Sequence, residues 1–153
     1  AGNMARARRI AWVGAGLATA VTGSIGLGGA LFPELWLGLF STDATVLAIG
    51  ATYLRIVGPT YGFFGLGLAL YFASQGAGRL LWPLLAGIMR LLIAAGGGWV
   101  AMHWFAGGLT ALFIAIAVAL ALFGITVAVA LQAGAWAAAG KTAHGTTSVV
   151  RKR

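Results

Sequence analysis

Few side chains of this chain could carry out chemistry, and they are widely spaced. The 153 residues include ten basic, two acidic and two histidine side chains, and no cysteine. Both acids, Glu34 and Asp43, lie in one polar connection, away from His103 and from His144. Catalytic and zinc sites need several such groups close together. The sequence therefore predicts no catalytic residue set and no metal site, and it predicts that the protein is not an enzyme.

The amino-acid composition indicates which class of protein these residues belong to. Hydrophobic residues make up 61% of the chain and charged residues only 8%, against about 25% charged in a typical soluble domain. This excludes a soluble enzyme, and the lack of cysteine excludes a disulfide-stapled secreted domain. The net charge of +8 does not indicate a nucleic-acid partner, because most basic residues lie in gaps between apolar runs. The expected partner is the lipid bilayer.

Four stretches are long and apolar enough to form membrane helices, which need roughly 20 residues each. They cover residues 10–32, 46–73, 80–105 and 109–134. None shows the alternation of polar and apolar residues that is typical of barrel strands. We therefore predict an all-α membrane protein with four transmembrane helices in the region 10–136, a remnant of a cytoplasmic loop at 1–9 and a basic cytoplasmic tail at 137–153.

The basic residues outside these stretches predict the orientation of the chain. They are Arg6, Arg8, Arg9, Arg79, Lys141, Arg151, Lys152 and Arg153. If the helices alternate in direction, all of these residues fall on one side, whereas both acids fall on the other. Because basic residues concentrate in cytoplasmic loops, both termini are expected in the cytoplasm, with the chain in a bacterial inner membrane.

Two arginines lie inside the apolar stretches. Arg90 is on the order of 15 Å from the start of its stretch at Leu80, or about 10 Å if the helix begins at Pro83. A guanidinium at that depth either faces a cavity or a partner, or reaches the interface by snorkelling. No acid of this chain lies at a matching depth, so a partner would come from another segment, or from backbone carbonyls and water. Arg55 lies nearer a membrane surface and is expected to snorkel.

The second stretch combines a proline with polar, aromatic and small residues. Pro59 cannot donate an intrahelical hydrogen bond, so a kink or local unwinding is expected there. Broken helices beside polar side chains form substrate sites in transporters. The alternative is that the rings face lipid or other helices and Pro59 only bends the chain. The candidate cavity residues are Pro59, Thr60, Tyr61, Phe64, Tyr71, Gln75 and Arg90.

Small residues recur on this stretch at nearly every fourth position. They are Gly58, Gly62, Gly65, Ala69 and Ala73. Such a ridge allows a second helix to approach closely. Helix packing is therefore its favoured role, and a sliding contact in a moving transporter is the alternative.

An ordered series of short motifs resembles the multidrug and toxic compound extrusion (MATE) family. The series consists of Ala1-Gly-Asn3 with the Ala/Arg cluster 5–9, Leu39-Phe40-Ser41-Thr42-Asp43, Val46 through Tyr53-Leu54-Arg55-Ile56, Pro59, Ser74-Gln75-Gly76-Ala77-Gly78, Pro83 and Arg90. The resemblance covers nearly the whole chain apart from its tail.

The resemblance implies a secondary active transporter with twelve helices in two lobes. This chain is similar to the last four helices of the second lobe, so it is expected to be a C-terminal fragment or a truncated product that does not transport alone. Its partners would be the remaining helices of the same transporter and a small-molecule cationic substrate. The family exports cationic or amphipathic compounds by Na+ or H+ antiport, and no cofactor besides the coupling ion is implied. Some members place an acid in the tenth helix, but the corresponding stretch 46–73 has none.

Three other classes of membrane protein share features with this sequence. Small multidrug resistance transporters also have four spans, but they need a membrane-embedded Glu in the first helix, and residues 10–32 contain none. A lipid-linked oligosaccharide flippase of the same superfamily would share the lobe architecture but have a more cationic cavity. A non-transporting four-helix membrane scaffold would bind partner helices through its small-residue ridge.

Overall fold

The computed structural model describes residues 2–78, 81–104 and 108–133, and its regular secondary structure over these ranges is helical. The helices are α1 (Gly2–Leu31), α2 (Pro33–Leu37), α3 (Ala44–Val57), α4 (Tyr61–Gly76), α5 (Leu81–Leu92), α6 (Gly98–Trp104) and α7 (Gly108–Gln132). A 3-10 turn (Gly58–Thr60) continues α3 into α4, and a π turn (Ile93–Gly97) continues α5 into α6.

These helices form four membrane-length spans over the described part of the chain. Span one is Ala5–Leu31, span two is Ala44–Gly76, span three is Leu81–His103 and span four is Gly108–Gln132. Each is long and apolar enough to cross a bilayer. The predicted all-α fold with four transmembrane helices is confirmed.

The N-terminal segment differs from its predicted loop conformation. Helix α1 begins at Gly2 and therefore includes most of the segment 1–9. The alanines and arginines of this segment are strong helix formers, so the helix continues beyond the apolar stretch. The predicted basic tail, 137–153, lies outside the described residues.

The connection between spans one and two is short and capped. Pro33 occupies the first turn of α2, where its missing N–H breaks no hydrogen bond. The Asp43 carboxylate accepts hydrogen bonds from the backbone N–H groups of Thr45 (2.7 Å) and Val46 (3.2 Å). These bonds satisfy donors that the first turn of α3 would otherwise leave free.

Helix α4 lies between α1 and α7, and the third span packs on α7. Spans one and two run antiparallel, with Gly23 beside Gly62 and Gly26 beside Gly58. A Cβ built on Gly58 would lie 2.5 Å from the carbonyl oxygen of Gly26, so the two backbones touch. The prediction that small residues of span two allow close helix approach is confirmed.

Polar side-chain contacts occur at both ends of the bundle. At the end that carries α2, Arg55 Nη2 donates to Glu34 Oε1 at 3.0 Å. At the opposite end, Arg8 Nη2 donates to the backbone oxygen of Gln132 at 3.2 Å. The first contact places the Arg55 charge at an end of the bundle, the position expected of a snorkelling side chain.

Replacing Arg55 by glutamine is expected to lower the free energy of unfolding by less than about 1 kcal/mol, because exposed ion pairs contribute little. Both partners are mainly exposed, at 59% and 66% of their side-chain surfaces. A double-mutant cycle with Glu34→Gln, followed by denaturant unfolding in detergent micelles, measures the coupling. A coupling energy well above about 1 kcal/mol, or one that does not fall with added salt, would contradict this expectation.

Candidate functional site

All four spans contribute side chains to a cavity of about 450 Å³. Its lining residues are Thr22, Ile25, Tyr53, Tyr61, Phe64, Arg90, Ile116 and Leu120. The volume lies within the range of small-molecule sites, roughly 300–1,000 Å³. The walls are mostly aliphatic and aromatic, with a few polar groups, which is the usual composition of such sites.

Arg90 contributes the positive charge in this wall. Its Cζ atom lies 5.2 Å from the ring centroid of Phe123 and 5.5 Å from that of Phe64. Both distances are within the range of cation–π attraction, about 6 Å. The two rings lie 6.3 Å apart between their centroids, so α4 and α7 hold them around the guanidinium.

Among the residues that the structure describes, Arg90 has no hydrogen-bond or ion-pair partner. Its side chain is half-buried, and both acids of the chain lie near the α2 end of the bundle. Placing an arginine at the middle of a membrane helix costs at least ~2.5–3.5 kcal/mol on insertion scales. The ring contacts offset part of this cost and leave the N–H donors of the guanidinium available.

A second cavity, of about 400 Å³, adjoins the first at Arg90 and Phe64, which line both. It lies between spans two, three and four. Its other lining residues are Leu68, Tyr71, Pro83, Leu84, Gly87, Ile88, Leu91 and Phe123. The guanidinium therefore lies where the two cavities meet, and both cavities have mainly apolar walls that include tyrosine.

Two tyrosines and a threonine supply the hydroxyls of the first cavity. The hydroxyl oxygens of Tyr53 and Tyr61 lie 3.3 Å apart, close enough for one to donate to the other. The Tyr53 ring also meets Phe113 edge-on, with the ring centroids 5.3 Å apart. Thr22 donates its hydroxyl hydrogen to the Ala18 carbonyl at 2.8 Å, which leaves its oxygen able only to accept. These contacts fix the polar groups before any ligand binds.

Span two is broken at its proline. Residues Gly58–Thr60 form a 3-10 turn, and Thr60 Oγ1 donates to the Val57 carbonyl at 2.7 Å. The expected local unwinding at Pro59 is confirmed. Tyr61 and Phe64, in the first turn of α4 after this 3-10 turn, lie in the cavity wall.

Of the other candidate residues, only one lines a cavity. Tyr71 lines the second cavity, whereas Pro59, Thr60 and Gln75 line neither, and Pro59 and Gln75 are exposed. A role of any of these residues in substrate binding stays a prediction.

Sequence reasoning did not select Thr22 or Phe123. Both lie in the uncharged apolar stretches 10–32 and 109–134, where only their residue types set them apart: a hydroxyl in the first stretch, and a large ring beside Gly124 in the last. The π turn at Ile93–Gly97 was also not predicted. It begins three residues after Arg90, at a point where glycines are frequent, and π turns often occur near functional sites.

Of the residues that the structure describes, the other basic, acidic and histidine side chains line neither cavity. His103 Nδ1 is 3.0 Å from the Trp99 carbonyl oxygen, and the two rings stack at 4.7 Å between centroids. Within the three described ranges, no group of three or more His, Cys, Asp or Glu side chains could hold a metal ion.

Four membrane-length helices that line a partly open cavity, with a 3-10 turn at the proline of one span, define a multi-pass membrane protein. The sequence model of the MatE family matches residues 1–100, and the chain belongs to this family. MATE family proteins are membrane transporters rather than enzymes. No curated protein and no solved structure matches the chain.

Proposed function

We propose that this chain forms part of the substrate pathway of a secondary active transporter that exports amphipathic organic compounds in exchange for Na+ or H+. The cavity shared by the four spans supports this proposal most directly, because each span contributes at least one lining residue. A compound in this cavity would contact aromatic rings on one side and aliphatic side chains of span four on the other.

The charge in the cavity bears on the choice of substrate. The resemblance implies cationic or amphipathic compounds, and Arg90 repels a cation because no described acid neutralises it. We therefore favour amphipathic compounds. Transfer of a lipid-linked oligosaccharide is a second candidate, and it is favoured by the same arginine, since the phosphates of such lipids are anionic.

The small-residue contacts do not favour the scaffold alternative. Gly58 and Gly62 already pack on α1, and Gly67 packs on Phe123 of span four. These residues are used inside the bundle, so they offer little surface for an unrelated partner helix.

The coupling ion is proposed to bind elsewhere in the transporter. The chain has two acids, Glu34 and Asp43. Glu34 pairs with Arg55, and Asp43 caps α3. Carboxylates from the other helices of the transporter would therefore hold Na+ or H+. We also propose that both termini lie in the cytoplasm and that the membrane is a bacterial inner membrane; the distribution of basic residues supports this orientation, because basic residues concentrate in cytoplasmic loops.

Filling the cavity is expected to stop transport. The product of the complete open reading frame that contains these 153 residues would be reconstituted into proteoliposomes, and efflux of a fluorescent amphipathic compound driven by a Na+ or H+ gradient would be measured. Ile116→Trp should lower the initial efflux rate at least about tenfold, because the added ring occupies the cavity.

Ile114→Trp provides the matched control. Ile114 lies on the same helix but is 51% exposed, so its replacement should leave efflux within about twofold, since a lipid-facing ring blocks nothing. Gradient-driven efflux that is equal in Ile116→Trp and in the unaltered protein would contradict the assignment of the cavity, and efflux that ignores both gradients would contradict antiport.

A further inference from the structure

We propose that Arg90, held between Phe64 and Phe123, binds the headgroup of an amphipathic organic anion whose apolar part lies in the second cavity. The headgroup would be a sulfonate, carboxylate or phosphate. This inference deepens the proposed function and rests on it, because it names the class of compound that the substrate cavity accepts.

The charge state of the site points to an anion. The guanidinium is positively charged and half-buried, and no described residue accepts a hydrogen bond from it. Cation–π contacts use the positive charge of the group but provide no lone pair for its N–H donors. An oxyanion provides both a negative charge and acceptor oxygens in the geometry that a guanidinium matches best.

The two cavities determine the shape of the ligand. Arg90 and Phe64 line both cavities, so an anion on the guanidinium reaches either volume. The second cavity, of about 400 Å³, has walls that include Leu68, Leu84 and Leu91. These aliphatic walls suit an alkyl or aromatic body. Tyr53 and Tyr61 line the first cavity together with Arg90, so their hydroxyls face the same volume as the guanidinium.

Two other occupants would satisfy the same arginine. A carboxylate side chain from another helix of the transporter would neutralise it and leave no anion site. The headgroup of an anionic bilayer lipid has the same chemistry as the proposed ligand but a different source. A photolabelling experiment gives a different result for each of these two occupants and for the proposed anion.

Photolabelling of the 153-residue chain in phosphatidylcholine nanodiscs tests the site directly. The probe is an alkyl sulfonate with a diazirine in its chain, which stays charged at every pH used, and the matched probe is the corresponding alkyl alcohol. Tandem mass spectrometry locates the labelled residues. We expect the sulfonate to label residues of the second cavity, such as Leu68 and Leu84, and Arg90→Gln to lower this labelling at least fivefold.

Further variants distinguish an effect of the Arg90 charge on labelling from an effect of misfolding. Arg90→Lys keeps the positive charge and should retain part of the labelling. Circular dichroism and gel filtration show whether each variant folds. If Arg90→Gln does not fold, the comparison of Arg90→Lys with the unaltered chain still tests the site. Arg55→Gln removes an arginine that lines neither cavity and should leave labelling unchanged. The alcohol probe should not distinguish Arg90→Gln from the unaltered chain. Equal labelling by sulfonate and alcohol, or sulfonate labelling that survives Arg90→Gln, overturns the proposal.

Competition identifies the source of the anion. If phosphatidylglycerol in the nanodisc displaces the sulfonate, the site takes a lipid headgroup, and if it does not, the site takes a soluble amphipathic anion.

The same labelling experiment on the complete transporter tests whether a carboxylate side chain of another helix occupies the site. Loss of labelling there assigns Arg90 to such a carboxylate and overturns the proposal. Efflux without labelling rejects the anion site alone, whereas labelling without efflux rejects the transport proposal alone.

Discussion

Replacing Gly26 by alanine is expected to separate α1 from span two and to lower the free energy of unfolding by about 1–3 kcal/mol, the usual effect of overpacking. The added Cβ would overlap the carbonyl oxygen of Gly58 and lie 2.9 Å from the Cβ of Tyr61. Neither neighbour can yield easily, because one is backbone and the other is fixed by the turn at Pro59. The chain can relieve the overlap only by moving a whole helix.

Gly23→Ala is the matched control on the same face of α1. A Cβ there would lie 3.6 Å from the Cα of Gly62, an ordinary contact. Both substitutions gain the better helix propensity of alanine, up to about 1 kcal/mol, so their difference isolates the overlap. Unfolding in dodecylmaltoside by titration with sodium dodecyl sulfate, followed by circular dichroism, measures both variants. Stabilities that agree within about 0.5 kcal/mol would contradict the close approach of α1 and span two.

Phe123→Ala is expected to lower the free energy of unfolding by about 2 kcal/mol, less than the 3–5 kcal/mol typical of soluble cores. The ring is 4% exposed, and it lies against Gly67 and beneath Arg90. In a soluble protein, part of this loss comes from transferring the side chain between water and the protein interior. In a bilayer that contribution is small, because lipid is as apolar as the protein interior. The loss of packing and of a cation–π contact remains.

Phe72→Ala is the control for this substitution, since Phe72 is on the neighbouring α4 but is 58% exposed. Its loss should change stability by less than about 0.5 kcal/mol, because lipid replaces the ring contacts. Phe123→Leu, which keeps most of the volume, should fall between the two alanine variants. Equal losses in Phe123→Ala and Phe72→Ala, measured by the same titration, would show that Phe123 does not pack between α4 and α7.

The sequence alone was sufficient for the number and type of the spans. A long apolar run must form a helix in lipid, because every backbone N–H and C=O needs an internal partner there. The break at Pro59 was predictable for a related reason, since proline removes one of those donors. The depth of Arg90 followed from the rise per residue and indicated either a cavity or snorkelling.

The candidate site was predictable only in part. Tyr61, Phe64, Tyr71 and Arg90 line a cavity, whereas Pro59, Thr60 and Gln75 do not, and a role of any of them in substrate binding stays a prediction. Residues on spans one and four that complete the site carry no charge and have no motif. Their assignment required knowing which spans meet.

What the sequence determined is the set of membrane helices and the position of their break; what the tertiary structure decided is which faces meet. Helices α4 and α7 are apolar on nearly all sides, so their patterns do not distinguish a face toward lipid from a face toward protein. In a bilayer that choice depends on shape, such as the fit of Gly26 to Gly58 and of Phe123 to Gly67. Only these contacts bring Phe64 and Phe123 together around Arg90.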